Sequence, residues 1–93
     1  MSLVSREMRE RIWNRDKRRC HYCHRRLAFE EMTLDHAIPH SKGGNRHYRN
    51  LVASCAVCNR AKGDLTEYEW WSLPTEEKER RKDAVRTTYT PYR

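Results

Sequence analysis

Large apolar residues are scarce in this chain of 93 residues. It has one Phe, and only 37% of its residues are hydrophobic. Mean hydropathy is −1.16. No stretch reads as a secretory leader or a membrane span, so the expected setting is a reducing cytoplasm without membrane partners. Glycine and proline are also sparse, three of each, and there are no internal repeats or low-complexity segments. A chain this short, with so little apolar material, buries a small core and needs a staple to stand alone. One domain spanning 1–93 is the expectation, with its core at about 15–63 and a helical extension at about 64–93.

What the chain has is charge and cysteine. Lys and Arg number 20 against 13 Asp and Glu, a formal charge of +7. That balance suits a polyanionic partner, because neutralising phosphates releases counterions. It is equally the composition of many basic domains that bind nothing specific. The four cysteines form two Cys-x-x-Cys pairs, Cys20/Cys23 and Cys55/Cys58. In a reducing compartment such pairs read first as metal ligands. The turn between two thiolates aims both sulfurs at one ion, and two such turns close a tetrahedral structural zinc site. A thioredoxin-like redox pair needs a βαβ context that this sequence lacks. A rubredoxin-like iron site also uses two such turns at long separation, but the basic charge and the histidine-rich insert disfavour it. Replacement of one cysteine by a histidine is a lesser alternative.

The 31 residues between the pairs form a structural insert held at its base by the metal. Before it, Ser5 caps a helix running to about residue 18, with Met8 and Ile12 on one face and Trp13 beside it. Residues 27–31 read as a short link. Residues 32–39 alternate as a strand, with Met32, Leu34, His36 and Ile38 on one face and Thr33, Asp35 and Ala37 on the other. Residues 41–45 are a glycine-rich loop, and a second strand is expected around 50–52. Ser54 is the expected cap of a helix over 55–62, ended by Gly63 in the left-handed region. Thr66 and Glu69 form a capping box for a helix holding Trp70 and Trp71, of which at least one belongs in the core. Thr75 caps a last helix, polar nearly all round and expected to attach loosely, with a frayed tail over 87–93.

The order Asp35-His36, Pro39, Gly43-Gly44, Asn50-Leu51, then Cys55-x-x-Cys58-Asn59-x-x-Lys62, resembles the HNH endonucleases whose ββα-metal hairpin and helix are bracketed by a four-cysteine zinc site. The resemblance covers about 15–63. It implies an α+β, His-Me-finger fold with flanking helices, and divalent-metal-dependent hydrolysis of DNA phosphodiesters. It makes His36 the general base and Asp35 a ligand of the catalytic ion. Asn50 is the family's middle Asn, which steadies the loop. Asn59 stands where the family most often has a second His. As a hard oxygen ligand it points to Mg²⁺ or Mn²⁺, with Ni²⁺ a softer alternative. Adjacent on a strand, Asp35 and His36 would project to opposite sides, while Asn59 converges with Asp35 on one ion. Lys42, Arg60 and Lys62 are candidate contacts to the DNA phosphate backbone. His40 is an extra histidine, and an ordinary loop role suffices for it. The alternative function is a zinc-stapled nucleic-acid-binding module without catalysis.

Overall fold

The computed structural model describes residues 4–88. Helix α1 (Arg6–Arg15) starts where Ser5 Oγ accepts the amide of Met8. It ends three residues short of the expectation. Asp16 closes it, and Lys17 and Arg18 both take positive φ, 60° and 59°. Those two residues swing the chain into a hairpin in which Arg19 pairs with Arg26 and the Cys20 amide donates to the Arg25 carbonyl. Residues 29–31, expected as a link, form one 3-10 turn.

Strand β1 (Thr33–His36) pairs antiparallel with β2 (Leu51–Ser54) in the register Thr33 to Ser54 and His36 to Leu51. The first strand is shorter than its sequence alternation predicts. It stops at His36, and beyond it Ala37, on the same face as Asp35, stays buried while Ile38 is 46% exposed. The reason is that the Ile38 backbone leaves the ladder for the Asn50 side chain, described below. All four residues of β2 are buried, because the knuckle hairpin and α1 cover the side that β1 does not.

Two polar residues at the end of α1 fasten it to β2. The Arg15 guanidinium donates to the carbonyls of Tyr48 (3.0 Å) and Leu51 (2.6 Å), and Asp16 Oδ2 accepts the Ala53 amide at 2.8 Å. The Asp16 carboxylate also holds the Arg15 pKa above its ordinary value.

Helix α2 (Ala56–Lys62) is capped by Cys55, whose Sγ accepts the Cys58 amide, and not by Ser54. Ser54 is in the β ladder, and its buried hydroxyl donates to the Cys55 carbonyl. Gly63 has positive φ (55°), but its ψ of −129° takes it out of the left-handed helical region. Helix α3 (Glu67–Ser72) begins with the Thr66/Glu69 capping box. It puts Trp70 in the core and leaves Trp71 half-exposed.

Helix α4 (Thr75–Thr88) is docked on α2, contrary to the loose attachment expected of so polar a helix. Arg81 Nη1 donates to the Ala61 carbonyl, and Val85 packs on the core. A long Arg stem and one Val supply contact that a count of apolar residues misses. Most of the tail expected to fray, 89–93, lies outside the described residues. The core gathers Ile12, Leu27, Met32, Leu51, Val52, Ala53, Ala61 and Trp70 around the cysteines. No helix among the described residues is long and apolar enough to cross a membrane.

Candidate active site

The cysteine cluster sets the frame. The sulfurs of Cys20, Cys23, Cys55 and Cys58 all lie within 4.8 Å of one another, and all four are free thiols. Four sulfurs each about 2.3 Å from one ion stand about 3.8 Å apart in a tetrahedron. Cys23 Sγ and Cys55 Sγ are 3.9 Å apart. The electrostatics of the bare cluster agree. Hydrogen bonds from Cys55 and Cys58 favour a thiolate at Cys20, whereas the bond to Cys20 pushes Cys58 up and burial pushes Cys23 up. Four adjacent sulfurs cannot all ionise without a cation, and the set is positioned to bind a metal such as zinc.

Between the two cysteine pairs, a loop is locked by one amide side chain. Asn50 Oδ1 accepts the Ile38 amide at 2.9 Å. Its Nδ2 donates to the carbonyls of Ile38 (3.0 Å) and Asn45 (2.7 Å). Gly44 lies beneath this knot. A Cβ there would stand 1.6 Å from the Ile38 carbonyl oxygen, so no other residue fits without moving backbone. The loop shapes an open cleft of about 460 Å³ lined by His36, His40, Gly44, Asn45 and Arg46. His36 thus faces solvent-accessible space at the end of β1.

Its neighbour Asp35 turns the other way. Asp35 is 6% exposed. Its Oδ2 accepts the Tyr22 hydroxyl at 2.5 Å and lies 3.0 Å from Lys62 Nζ. Both contacts fall on Oδ2. Burial, with the hydrogen bond to Asp35 second, pushes the Tyr22 pKa well above the ordinary phenol range, so Tyr22 remains a donor. Lys62, expected to touch phosphate, does not face solvent. It is 1% exposed, and its ammonium is spent on Asp35 and the His36 carbonyl, 3.0 Å away. The spacing along α2 turns Lys62 inward against β1, where a buried ammonium requires an anionic partner.

Helix α2 therefore runs along the side of β1 that carries Thr33 and Asp35. Asn59 stands over Thr33, with Nδ2 donating to Thr33 Oγ1 at 3.0 Å. That bond uses the amide nitrogen and leaves the amide oxygen for a ligand role. Asp35 and Asn59 share one strand-helix interface, and their oxygens are of the type that hard divalent cations take. Of the other candidates, Arg60 is exposed on α2. Lys42 is exposed too, but its ammonium is 2.7 Å from Glu69 Oε1. That contact, with the Thr66 amide second, holds Glu69 below the usual carboxylate range.

Sequence reasoning missed Tyr22. The available signal was an aromatic with a polar tip between two metal-type cysteines, which once buried has to find a hydrogen-bond partner. It also missed Arg46 as a cationic wall of the cleft.

A family model described as HNH endonuclease matches residues 20–65. The CRISPR-associated endonuclease Cas9 of Corynebacterium diphtheriae is 37% identical over 57 residues, which is 60% of this chain and 5% of that protein. The CRISPR-associated endonuclease Cas9 of Actinomyces naeslundii is 37% identical over 52 residues, 55% of this chain and 5% of that protein. The matched region is thus about 5% of the length of these curated relatives.

Proposed function

Residues 20–65 belong to the HNH endonuclease family, and from that membership we propose that the chain is a divalent-metal-dependent DNA endonuclease with His36 as general base. The observation that carries this reading is the opposed pair on β1. His36 lines an open cleft, while Asp35 points into the interface with α2 that also holds Asn59.

His36 takes a proton from a water molecule as its oxygen attacks phosphorus. The bond from phosphorus to the 3′ oxygen breaks and that oxygen takes a proton from water, giving 5′-phosphate and 3′-hydroxyl ends. Asp35 and Asn59 would hold Mg²⁺ or Mn²⁺, which when bound neutralises charge on a phosphate oxygen and the leaving oxygen. Asn50 keeps the cleft wall in register with His36. The four cysteines hold structural Zn²⁺. The net charge of +7, with Arg60 exposed and Lys42 at the loop, supports binding along the phosphate backbone. In this reading 1–93 acts as one unit built around the 15–63 core.

The test is Mg²⁺-dependent cleavage of supercoiled plasmid. His36→Ala should lower the rate by about 10²- to 10⁴-fold with DNA binding retained. Asp35→Ala should act through the ion and respond to excess metal. Cleavage by His36→Ala at the wild-type rate, or loss of the ion in that variant, overturns the assignment. One observation favours a second reading, a zinc-stapled DNA-binding module: Lys62 already balances the Asp35 charge. In that case the wild-type chain binds plasmid and leaves it uncut.

A further inference from the structure

We propose that Tyr22 is a positioning residue whose hydroxyl fixes the Asp35 carboxylate and couples it to the cysteine cluster. The proposal rests on the reading of Asp35 as a ligand of the catalytic ion.

Tyr22 lies between two cluster cysteines, and its own amide donates to Cys20 Sγ at 3.4 Å. Its backbone is therefore placed by the metal-binding turn. Tyr22 is 9% exposed, and its ring is wedged among other rings: His21 at 5.0 Å, Trp70 at 6.5 Å and Trp71 at 6.3 Å between centroids. The Lys62 ammonium stands 5.8 Å from the ring centroid, on its way to Asp35. With backbone and ring both held, the hydroxyl has little freedom left, and it is committed to Asp35 Oδ2.

A buried tyrosine hydroxyl needs a partner but has many to choose from, backbone carbonyls above all. Here it takes the carboxylate that stands next to the proposed base. Tyr22 and Lys62 both meet Oδ2; the hydroxyl sets the plane of the carboxyl group for an ion, while the ammonium is a charge with which such an ion competes. Hydrogen bonds of this kind, one step behind the ligands, orient them and tune affinity. Because the same turn holds Cys20 and Cys23, order at the structural metal is transmitted to Asp35 through one side chain.

The experiment compares zinc-loaded wild type and Tyr22→Phe by Mn²⁺ titration, with free Mn²⁺ read from its electron paramagnetic resonance signal. Tyr22→Phe should bind Mn²⁺ about 10- to 100-fold more weakly, keep its zinc, and recover plasmid cleavage as Mn²⁺ is raised. Unchanged Mn²⁺ affinity overturns the proposal. A melting cycle supplies a second readout, with Asp35→Ala/Lys62→Met as the background that removes both buried charges together. Tyr22→Phe should lower the melting temperature in the wild-type background and have no such effect in the other. Equal losses in both backgrounds mean that the hydroxyl serves only packing, and the proposal falls. If Tyr22→Phe alone does not fold, its folding in the charge-free background supports the link, and failure in both overturns it. If Asp35→Ala leaves Mn²⁺ binding untouched, the catalytic reading of Asp35 fails, and the melting cycle still decides whether Tyr22 and Asp35 are coupled.

Discussion

Lys62 Nζ and Asp35 Oδ2 are 3.0 Å apart, and both side chains are buried. A buried pair of this kind is weak evidence for stability, yet breaking it from one side strands a charge in the interior. Lys62→Met should therefore cost about 3–5 kcal/mol. Asp35→Ala/Lys62→Met should recover much of that loss, as seen in urea unfolding. In Lys62→Met the Asp35 carboxylate keeps the Tyr22 hydroxyl but loses the ammonium that competes with an added cation. Added Mn²⁺ should raise the melting temperature of Lys62→Met more than that of wild type. Equal shifts in the two proteins would mean that Asp35 is not an ion ligand.

Cys55 serves twice, as a member of the cysteine cluster and as the N-cap of α2. Serine is an excellent cap and a poor zinc ligand. Cys55→Ser therefore separates the two roles. The variant should lose bound zinc and unfold cooperatively, as strong chelation should unfold the wild type. Native circular dichroism and an unchanged melting temperature in the chelated protein would show that the metal is not structural.

Asn50→Ala removes three hydrogen bonds that close residues 38–50. The stability cost should be about 1–3 kcal/mol, and cleavage should fall further than that cost alone explains, because the loop carries one wall of the cleft. Gly44→Ala should do the same by collision with the Ile38 carbonyl. Zinc content should be normal in both. Wild-type cleavage by Gly44→Ala would show that the loop geometry is dispensable.

Lys42 spends its charge on Glu69. Glu69→Gln preserves the acceptor that the capping box needs and releases the ammonium. DNA should bind more tightly, and the dependence of log K on log salt should steepen by about one. A salt series with unrelated duplexes measures this. An unchanged slope would remove Lys42 from the DNA surface.

Much of the architecture was legible from spacing. The paired cysteines, the Thr66/Glu69 box and the order from Asp35-His36 through Asn50 to Asn59 are local patterns, and the elements stand where those patterns put them. What escaped was set by partners distant in sequence. Lys62 reads as a surface cation until α2 is laid on β1 and the side chain finds Asp35, 27 positions earlier. Ile38 reads as part of a strand over 32–39 until Asn50 captures its backbone. Ser54 reads as a cap because serine is good at it, while its place in the β ladder leaves that task to Cys55. Lys17 and Arg18 have no sequence mark for their positive φ, since glycine or asparagine would ordinarily announce it.

The fastening of Arg15 and Asp16 to residues 48–53 bears on how the chain is born. Everything that finishes the first half is made late: β2, the second cysteine pair and the carbonyls that Arg15 seeks. A nascent chain that stops before Tyr48 has a capped helix and a two-sulfur turn with nothing to close on, and loop closure over such distances must precede any reward. Folding on the ribosome should therefore wait until Cys58 has emerged. The scarcity of large apolar residues then acquires a use, because the half-made polypeptide offers neighbouring chains little to stick to while it waits.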